Sequence, residues 1–203
     1  MPGPKAPEEE RKEQILEAAQ RVAAAETLAG LTIRRVAEAA GLSVGLVLFH
    51  FKSKERLLMS LLDRVLEETL AEMESSREAA RDPVPREMLR NLLRREIERL
   101  PAERERVELF YDYWVMGTRQ PEIRARVRAS LERYRRLVAE VTGHMVASEP
   151  GAFGGMTAEG LAAIMVSFIE GCALQAVIDP ASFDVAAYME NVDALIDSIR
   201  SPV

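Results

Sequence analysis

The chain has 203 residues, of which 48% are hydrophobic and 5% aromatic, and its formal net charge is -6 at neutral pH. This length suits a small domain joined to a larger one with a sizeable core, and the single cysteine, Cys172, excludes an intramolecular disulfide framework. Because the first residues are polar and proline-rich, and no uninterrupted apolar run reaches the roughly 18 residues that cross a membrane, we expect a cytoplasmic protein without a signal peptide.

The first helix is predicted from about Glu9 to Ala25. Its apolar residues repeat at the spacing of one helix face: Ile15, Leu16, Ala19, Val22 and Ala23.

Two short helices follow, over 33–40 and 44–50. Thr32 and Ser43 stand where N-cap oxygens are wanted, and Gly41 stands where a helix ends in the left-handed conformation. Only Gly41 and Leu42 are left to reverse the chain, so the pair has the spacing of a helix-turn-helix. An ordinary helical hairpin with no DNA role has the same local pattern, and both interpretations stay open at this point.

The rest of the chain predicts helices over 54–80, 86–100, 102–117, 121–148, 157–178 and 184–200. Ser53 is an N-cap of the first of these, Pro101 and Pro121 are first-turn prolines, and 149–155 is predicted to be a flexible loop. The fold class is therefore all-α, with about nine helices. The helix over 107–116 is apolar on more than one face, so we expect it to be buried on all sides, with its aromatic residues lining either a ligand cavity or plain core.

The run AAGLSVGLVLFHFKSKERLL, together with the upstream QILEAAQRVAA and LTIRRVAEAAG, resembles the DNA-binding domain of the tetracycline-repressor (TetR) family of bacterial transcription regulators. The resemblance covers about Glu9 to Leu62. It implies a helix-turn-helix DNA-binding domain over 1–53 and a ligand-binding and dimerisation domain over 54–203. It also implies a homodimeric repressor that binds a near-palindromic site in double-stranded DNA and is released by a small-molecule effector.

Carried over position by position, the resemblance implies DNA contacts from Thr32, Arg34, Ser43, Val44, Gly45, Leu46, Leu48, Phe49, His50, Lys52 and Lys54. Ser43 and Val44 open the recognition helix, and Gly45 lets the backbone approach the groove. The chain departs from the family at Leu46 and Leu48, where the family has Thr or Ser and Tyr. Contact with thymine methyl groups, an altered sequence preference and simple core packing are all open explanations for these two leucines.

The acidic net charge at first argues against DNA binding, because nucleic-acid binders present basic surfaces. Residues 1–56 contain 9 basic and 8 acidic residues, whereas residues 57–203 contain 18 and 25, and all four lysines lie in the first part. The acidity therefore belongs to the larger domain, and helix N-termini can add to a modest basic excess at the phosphates.

The run EGCALQAVIDP over 170–180, together with Trp114 and Tyr134, is similar to choline-sensing regulators of betaine synthesis. The resemblance implies an effector site formed by Phe110, Tyr113, Trp114, Tyr134, Phe168, Cys172 and Gln175. The last two helices carry apolar stripes, and the TetR resemblance implies that they form a dimer interface, through Val166, Ala173, Val177, Tyr188, Val192, Leu195 and Ile199. Glu170 is either a polar group of that site or the partner of an arginine, and Cys172 is either a redox sensor or an inert small hydrophobe.

The sequence also bears on two other classes of function, an enzyme and a helical binding protein without DNA binding. Enzyme chemistry is not expected, because the chain has only two histidines, no histidine or cysteine cluster at metal spacing and no phosphate loop, and we expect no metal or cofactor. The other class is a helical small-molecule-binding or adaptor protein that has lost specific DNA binding, which Leu46 and Leu48 would fit. A salt titration of DNA binding separates this class from a DNA-binding regulator.

Overall fold

The structure, a computed structural model, describes residues 7–149 and 151–199. Over these residues it contains nine α-helices and one short 3-10 helix and has no strand, so the all-α prediction is confirmed. The α-helices are α1 (Glu8–Gly30), α2 (Ile33–Ala40), α3 (Val44–Phe51), α4 (Lys54–Ala79), α5 (Pro85–Arg99), α6 (Arg104–Gly117), α7 (Pro121–Ser148), α8 (Ala158–Ile178) and α9 (Val185–Ser198).

The helix ends follow the capping residues that the sequence indicated. The hydroxyl of Thr32 accepts a hydrogen bond from the Arg35 amide at 3.3 Å, and that of Ser43 accepts one from the Leu46 amide at 3.2 Å. Gly41 ends α2 with φ at 66°, a conformation that costs an ordinary residue free energy. Each cap gives a hydrogen-bond partner to a backbone amide or carbonyl that would otherwise be unpaired at the helix end. For this reason the predicted bounds of α2 are correct to the residue.

Several predicted bounds differ from the structure by one or two residues, and the end of α1 differs by five. α1 continues to Gly30 because a second helical turn follows a break at Thr27, whose φ is 68°, and the Asp112 carboxylate accepts a hydrogen bond from the Leu28 amide at 3.5 Å. The helix predicted to start at residue 102 begins at Arg104, since residues 100–103 form the 3-10 helix.

The chain divides into two compact units. Unit 1 comprises residues 1–66 and 108–127, and unit 2 comprises residues 67–107 and 128–203. Helices α4, α6 and α7 therefore each contribute residues to both units. The domain boundary predicted between residues 53 and 54 stays a prediction.

The core of unit 1 fixes the orientation of α3. Val47 and Phe51 are buried against apolar residues of α1, α2 and α4, so the opposite side of this two-turn helix is left uncovered. The core is closed by Tyr113, which is fully buried and donates a hydrogen bond to the Leu58 carbonyl at 2.6 Å. Sequence reasoning placed Tyr113 on an apolar stripe but did not identify this hydrogen bond.

Unit 2 packs α5 against α8 and α9. Arg86 at the start of α5 forms two hydrogen bonds of 2.6 Å with the Glu149 carboxylate, and it donates to the carbonyls of Ile196 and Ile199 at 2.7 Å. The guanidinium also lies 5.5 Å from the centre of the Phe153 ring, and Phe153 is buried. Within the loop predicted over 149–155, Glu149 and Phe153 both contact Arg86, and the flexibility of this loop stays a prediction; Pro150 lies outside the described residues.

One expectation about apolar helices was also wrong. α6 is not buried on all sides, since Val115 is 65% exposed and Phe110 and Trp114 are half-buried, because unit 1 covers only the side that carries Leu109 and Tyr113.

By length and composition α8 is apolar enough to cross a membrane, although Glu170 interrupts its apolar run. One side of α8 packs into unit 2, and the other exposes Ile164, Leu174 and Ile178.

Gly41→Ala is expected to destabilise the protein by about 1–2 kcal/mol, because the alanine would be forced into the left-handed region. The cost comes from the backbone alone, since an added Cβ at this position meets no atom within 4 Å. The free energy of unfolding from urea denaturation measures it. The control is Gly143→Ala in α7, whose Cβ would lie 3.8 Å from that of Ala158 and which should be neutral or stabilising. Equal stability of the two variants would contradict this explanation.

Candidate functional site

The uncovered side of α3 is the most apolar exposed helix surface of unit 1. Phe49 is 64% exposed, Val44 41% and Leu48 38%, and none of these side chains carries a hydrogen-bonding group. Leu46 is half-buried, so core packing explains Leu46 in part and does not explain Leu48. The unit-1 core therefore presents a short, rigidly held helix with an apolar face to solvent.

Lysines flank this face. Lys52 follows α3 with φ at 65°, and its ammonium group lies 4.9 Å from the centre of the Phe49 ring and donates to the Phe49 carbonyl at 2.6 Å. Lys54 at the start of α4 donates to the Ala29 carbonyl at 3.4 Å. Both contacts leave the charge at the surface of unit 1, where each lysine can exchange its carbonyl for a phosphate oxygen.

Three helices start around these lysines. The hydroxyls of Thr32, Ser43 and Ser53 each accept one amide hydrogen bond in a first turn, and the other first-turn amides have no intrahelical acceptor. Such amides bind anions. Arg34 forms an exposed ion pair of 3.0 Å with Glu38, which it would have to give up to reach DNA.

None of the eleven residues expected to contact DNA is buried. Eight are exposed, and Leu46, His50 and Lys54 are half-buried. The Nδ1 atom of His50 is buried and has no hydrogen-bond partner, while its ring packs edge-on against Phe49 with the ring centres 5.2 Å apart. This arrangement holds the Phe49 ring between an imidazole and an ammonium group.

The residues expected to bind an effector fall in different units. Phe110, Tyr113 and Trp114 belong to unit 1, whereas Tyr134, Phe168, Cys172 and Gln175 belong to unit 2. The rings of Phe110 and Trp114 lie 5.8 Å apart and are half-buried. In unit 2, Gln175 is exposed and donates to the Gly171 carbonyl at 3.3 Å, and the Phe168 carbonyl accepts a hydrogen bond from Tyr188 at 2.8 Å.

Unit 2 also contains a buried acidic group that sequence reasoning missed. Glu96 is 1% exposed, accepts a hydrogen bond from the Tyr134 hydroxyl at 2.7 Å and pairs with Arg99 at 2.8 Å. Its other carboxylate oxygen, Oε1, is buried without a partner. The signal was present in the sequence, because Glu96 follows Leu92 and Leu93 at the spacing of the apolar face of α5.

Burial also shifts the titration of neighbouring groups. It raises the pKa of Tyr134, and it raises the pKa of Glu170 to about 7 although Arg135 opposes the shift. The thiol of Cys172 is buried with its pKa raised to about 11, which favours an inert hydrophobe over a redox sensor.

Three of the seven residues expected at the dimer interface do not face outward. Val166, Ala173 and Val192 are buried inside unit 2, because the small and branched face of α8 packs into its own subunit. Val177, Tyr188 and Ile199 are half-buried, and Leu195 is 54% exposed. The apolar side chains that α8 does expose are Ile164, Leu174 and Ile178, and the sequence could not tell these two faces apart since both are apolar.

Comparison with protein families gives two matches. Residues 15–61 match the family described as bacterial regulatory proteins of the tetR family, and residues 85–201 match the C-terminal region of BetI-type transcriptional repressors. The first match covers the helix-turn-helix, and the second covers more than half of the chain.

Relatives and solved structures agree with these matches. The chain is 28% identical over 183 residues to an uncharacterised HTH-type transcriptional regulator of Xanthobacter autotrophicus, covering 90% of this chain and 88% of that protein. It is 27% identical over 192 residues to the HTH-type transcriptional regulator BetI of Burkholderia thailandensis, covering 95% and 94%.

Its fold resembles that of a transcriptional regulator from Saccharomonospora viridis solved in complex with choline, with a TM-score of 0.81, 21% identity and coverage of 96% and 100%. It also resembles that of FadR from Bacillus subtilis in complex with stearoyl-CoA, with a TM-score of 0.70, 20% identity and coverage of 92% and 97%. The chain belongs to the TetR family of bacterial transcriptional regulators and has a C-terminal region of the BetI type.

Proposed function

We propose that this TetR-family regulator is a cytoplasmic, homodimeric repressor that binds a near-palindromic operator through α3. A small-molecule effector bound by its C-terminal region releases it from DNA. The observation that carries the proposal is the position of α3, which is anchored by Val47 and Phe51 while Val44, Leu48 and Phe49 face solvent.

The surroundings of α3 suit a phosphate backbone. Lys52 and Lys54 flank it, and α2, α3 and α4 begin close to it in the chain with first-turn amides that can bind anions. Without a binding partner, an uncovered apolar helix face beside two surface lysines would favour aggregation. This cost argues against a protein that has lost DNA binding.

Exposed apolar residues also support the dimer. Of the ten large hydrophobic residues exposed in the described part of the chain, three lie on α3 and four on α8 and α9. Ile178 is 76% exposed, the highest value among them. The exposed side of α9 carries uncharged residues at helical spacing, namely Ala187, Asn191, Ala194, Leu195 and Ser198. We therefore place a two-fold interface on these outer faces of α8 and α9, where two copies can form a four-helix bundle.

Such a dimer would carry two copies of α3. A spacing of about 34 Å between them matches one turn of DNA and would make the operator near-palindromic.

For the effector we propose a small organic cation, with choline as the first compound to test. The Saccharomonospora viridis regulator was solved with choline, and the C-terminal region here is of the BetI type. Within unit 2, the carboxyl group of Glu96 is buried and that of Glu170 is half-buried, and both lie near the Tyr134 hydroxyl. Release requires that the effector bind the DNA-free form more tightly than the DNA-bound form. Helices α4, α6 and α7 can transmit the conformational change, since each contributes residues to both units.

The DNA-binding proposal is tested by selecting duplexes from a random pool with the full chain and titrating the recovered operator with salt. We expect one near-palindromic sequence whose affinity falls steeply with salt as phosphate contacts are lost. Gly45→Ala should leave the fold intact, because the added Cβ meets only the Ser43 hydroxyl, at 4.0 Å. It should weaken DNA binding about tenfold or more, because the added methyl group would project from the exposed helix face towards the DNA. Gly143→Ala is the matched control and should bind like the parent. Recovery of no enriched sequence, even at low salt, would overturn the proposal.

Leu174→Glu and Leu195→Glu should each convert the dimer to monomer. Each charge would be buried twice in a two-fold interface without a partner, which should raise the dimer Kd at least about 100-fold. Analytical ultracentrifugation measures the change. Val115→Glu introduces the same charge at an exposed position of α6 and should leave the dimer intact. Dimers that survive both α8 and α9 variants would place the interface elsewhere.

Glu170→Gln should change how stability depends on pH. Because burial raises the pKa of Glu170 to about 7, the folded state holds the proton more tightly than the unfolded state. The resulting stability is fully present below the pKa of an unfolded glutamate, about 4.3, and is lost as pH rises to 7. Between pH 5 and pH 8, the free energy of unfolding of the variant should therefore rise by about 1–3 kcal/mol relative to that of the parent. Urea denaturation at each pH measures this difference. Parallel stability profiles would show that Glu170 is not desolvated in solution.

A further inference from the structure

The first six residues of α3 have no side chain that can hydrogen-bond to a base. All six residues of 44–49 are apolar, in the order Val44, Gly45, Leu46, Val47, Leu48 and Phe49, and His50 follows them in the last turn. The Ser43 hydroxyl just before them already accepts the Leu46 amide at 3.2 Å. Sequence-specific binding by these six residues therefore needs a base feature that an aliphatic side chain can recognise.

The DNA major groove offers one such feature, the 5-methyl group of thymine. Every base pair, A·T included, also carries hydrogen-bond donors and acceptors at this edge, and these lose water without gaining a partner against a leucine. An aliphatic helix face therefore selects thymine by the one apolar group that it can bury, the methyl group.

The positions of the exposed side chains fit this mode of reading. Val44 and Leu48 are both exposed and are four residues apart, so they share a face and lie roughly 6 Å apart along the axis. That distance spans about two base pairs at 3.4 Å each. Phe49 is the most exposed side chain of α3, and its ring contacts the Lys52 ammonium group and the His50 ring.

We propose that this protein reads its operator through thymine 5-methyl groups, contacted by Val44 and Leu48. The inference rests on the proposed DNA-binding function, and it assigns the sequence preference to these residues. Each half-site then contains thymines at two or three positions that face α3, and methyl contacts replace the polar contacts that Leu46 and Leu48 cannot make.

The test uses the full chain and the duplex recovered by selection, with deoxyuridine replacing thymidine at one half-site position at a time. This change removes one methyl group and leaves every hydrogen-bonding group of the base in place. We expect a roughly 4-fold rise in Kd for each contacted methyl, and about 15-fold when both half-sites are changed. Deoxyuridine at positions outside the half-sites serves as the control and should leave the Kd unchanged.

Variants of α3 separate side-chain contact from an effect of the methyl group on DNA shape. Leu48→Ala and Val44→Ala should bind the thymidine duplex more weakly, and each should lose the uridine penalty at its own position while keeping it elsewhere. Val115→Ala, at an exposed position of α6, should keep every penalty.

Three results would overturn the inference. If uridine changes the affinity nowhere while selective binding persists, the operator is read another way and only the repressor proposal stands. If the penalties persist unchanged in both alanine variants, the methyl groups act through DNA shape. If either variant changes the oligomeric state, the apolar face of α3 is covered by a second copy of the chain. Failure to select any duplex would instead overturn the repressor proposal itself.

Discussion

The structure of unit 1 depends on how α3 is anchored. Val47 and Phe51 insert into a core shared with α1, α2 and α4, while the Tyr113 hydroxyl bonds to the Leu58 carbonyl within that core. Since α3 has only eight residues, the burial of Val47 and Phe51 fixes which side of the helix faces solvent. The apolar outward face is thus a consequence of the core. A surface that packing fixes so firmly suits recognition of a rigid partner such as DNA.

Charge and apolar surface are divided between different parts of the molecule. All four lysines lie in the first 54 residues, whereas the excess of acidic residues lies after residue 56. Arginines of unit 2 pair with that excess, for example Arg86 with Glu149 and Arg99 with Glu96. The acidic excess after residue 56 repels phosphates, so DNA is attracted chiefly to the lysine-bearing part of the chain. It also suits an organic cation as effector.

Local chemistry made most helix ends predictable. Caps at Thr32, Ser43 and Gly41, and Pro121 at the start of α7, act within a few residues, so the sequence shows them directly. The end of α1 was predicted wrongly because a distant contact decides it, since Asp112 supports the turn after Thr27. Of the candidate site, the DNA contacts of α3 were implied by the family resemblance, and none of those positions is buried. The spacing of α5 places Glu96 on its apolar face, but the residue type did not suggest burial. The outward face of α8 could not be predicted, because periodicity cannot show which of two apolar faces the neighbouring helices cover.

The claim that the outward face of α3 enters the DNA groove is tested most directly by photocrosslinking. A benzophenone amino acid placed at Leu48 in the full chain, mixed with the selected operator and irradiated, should form adducts with the DNA. Adducts are expected at two operator positions separated by about one helical turn, and none are expected from the same residue placed at Val115, the exposed position of α6. Adducts formed only with protein at Leu48, or equal DNA adducts from both positions, would contradict it.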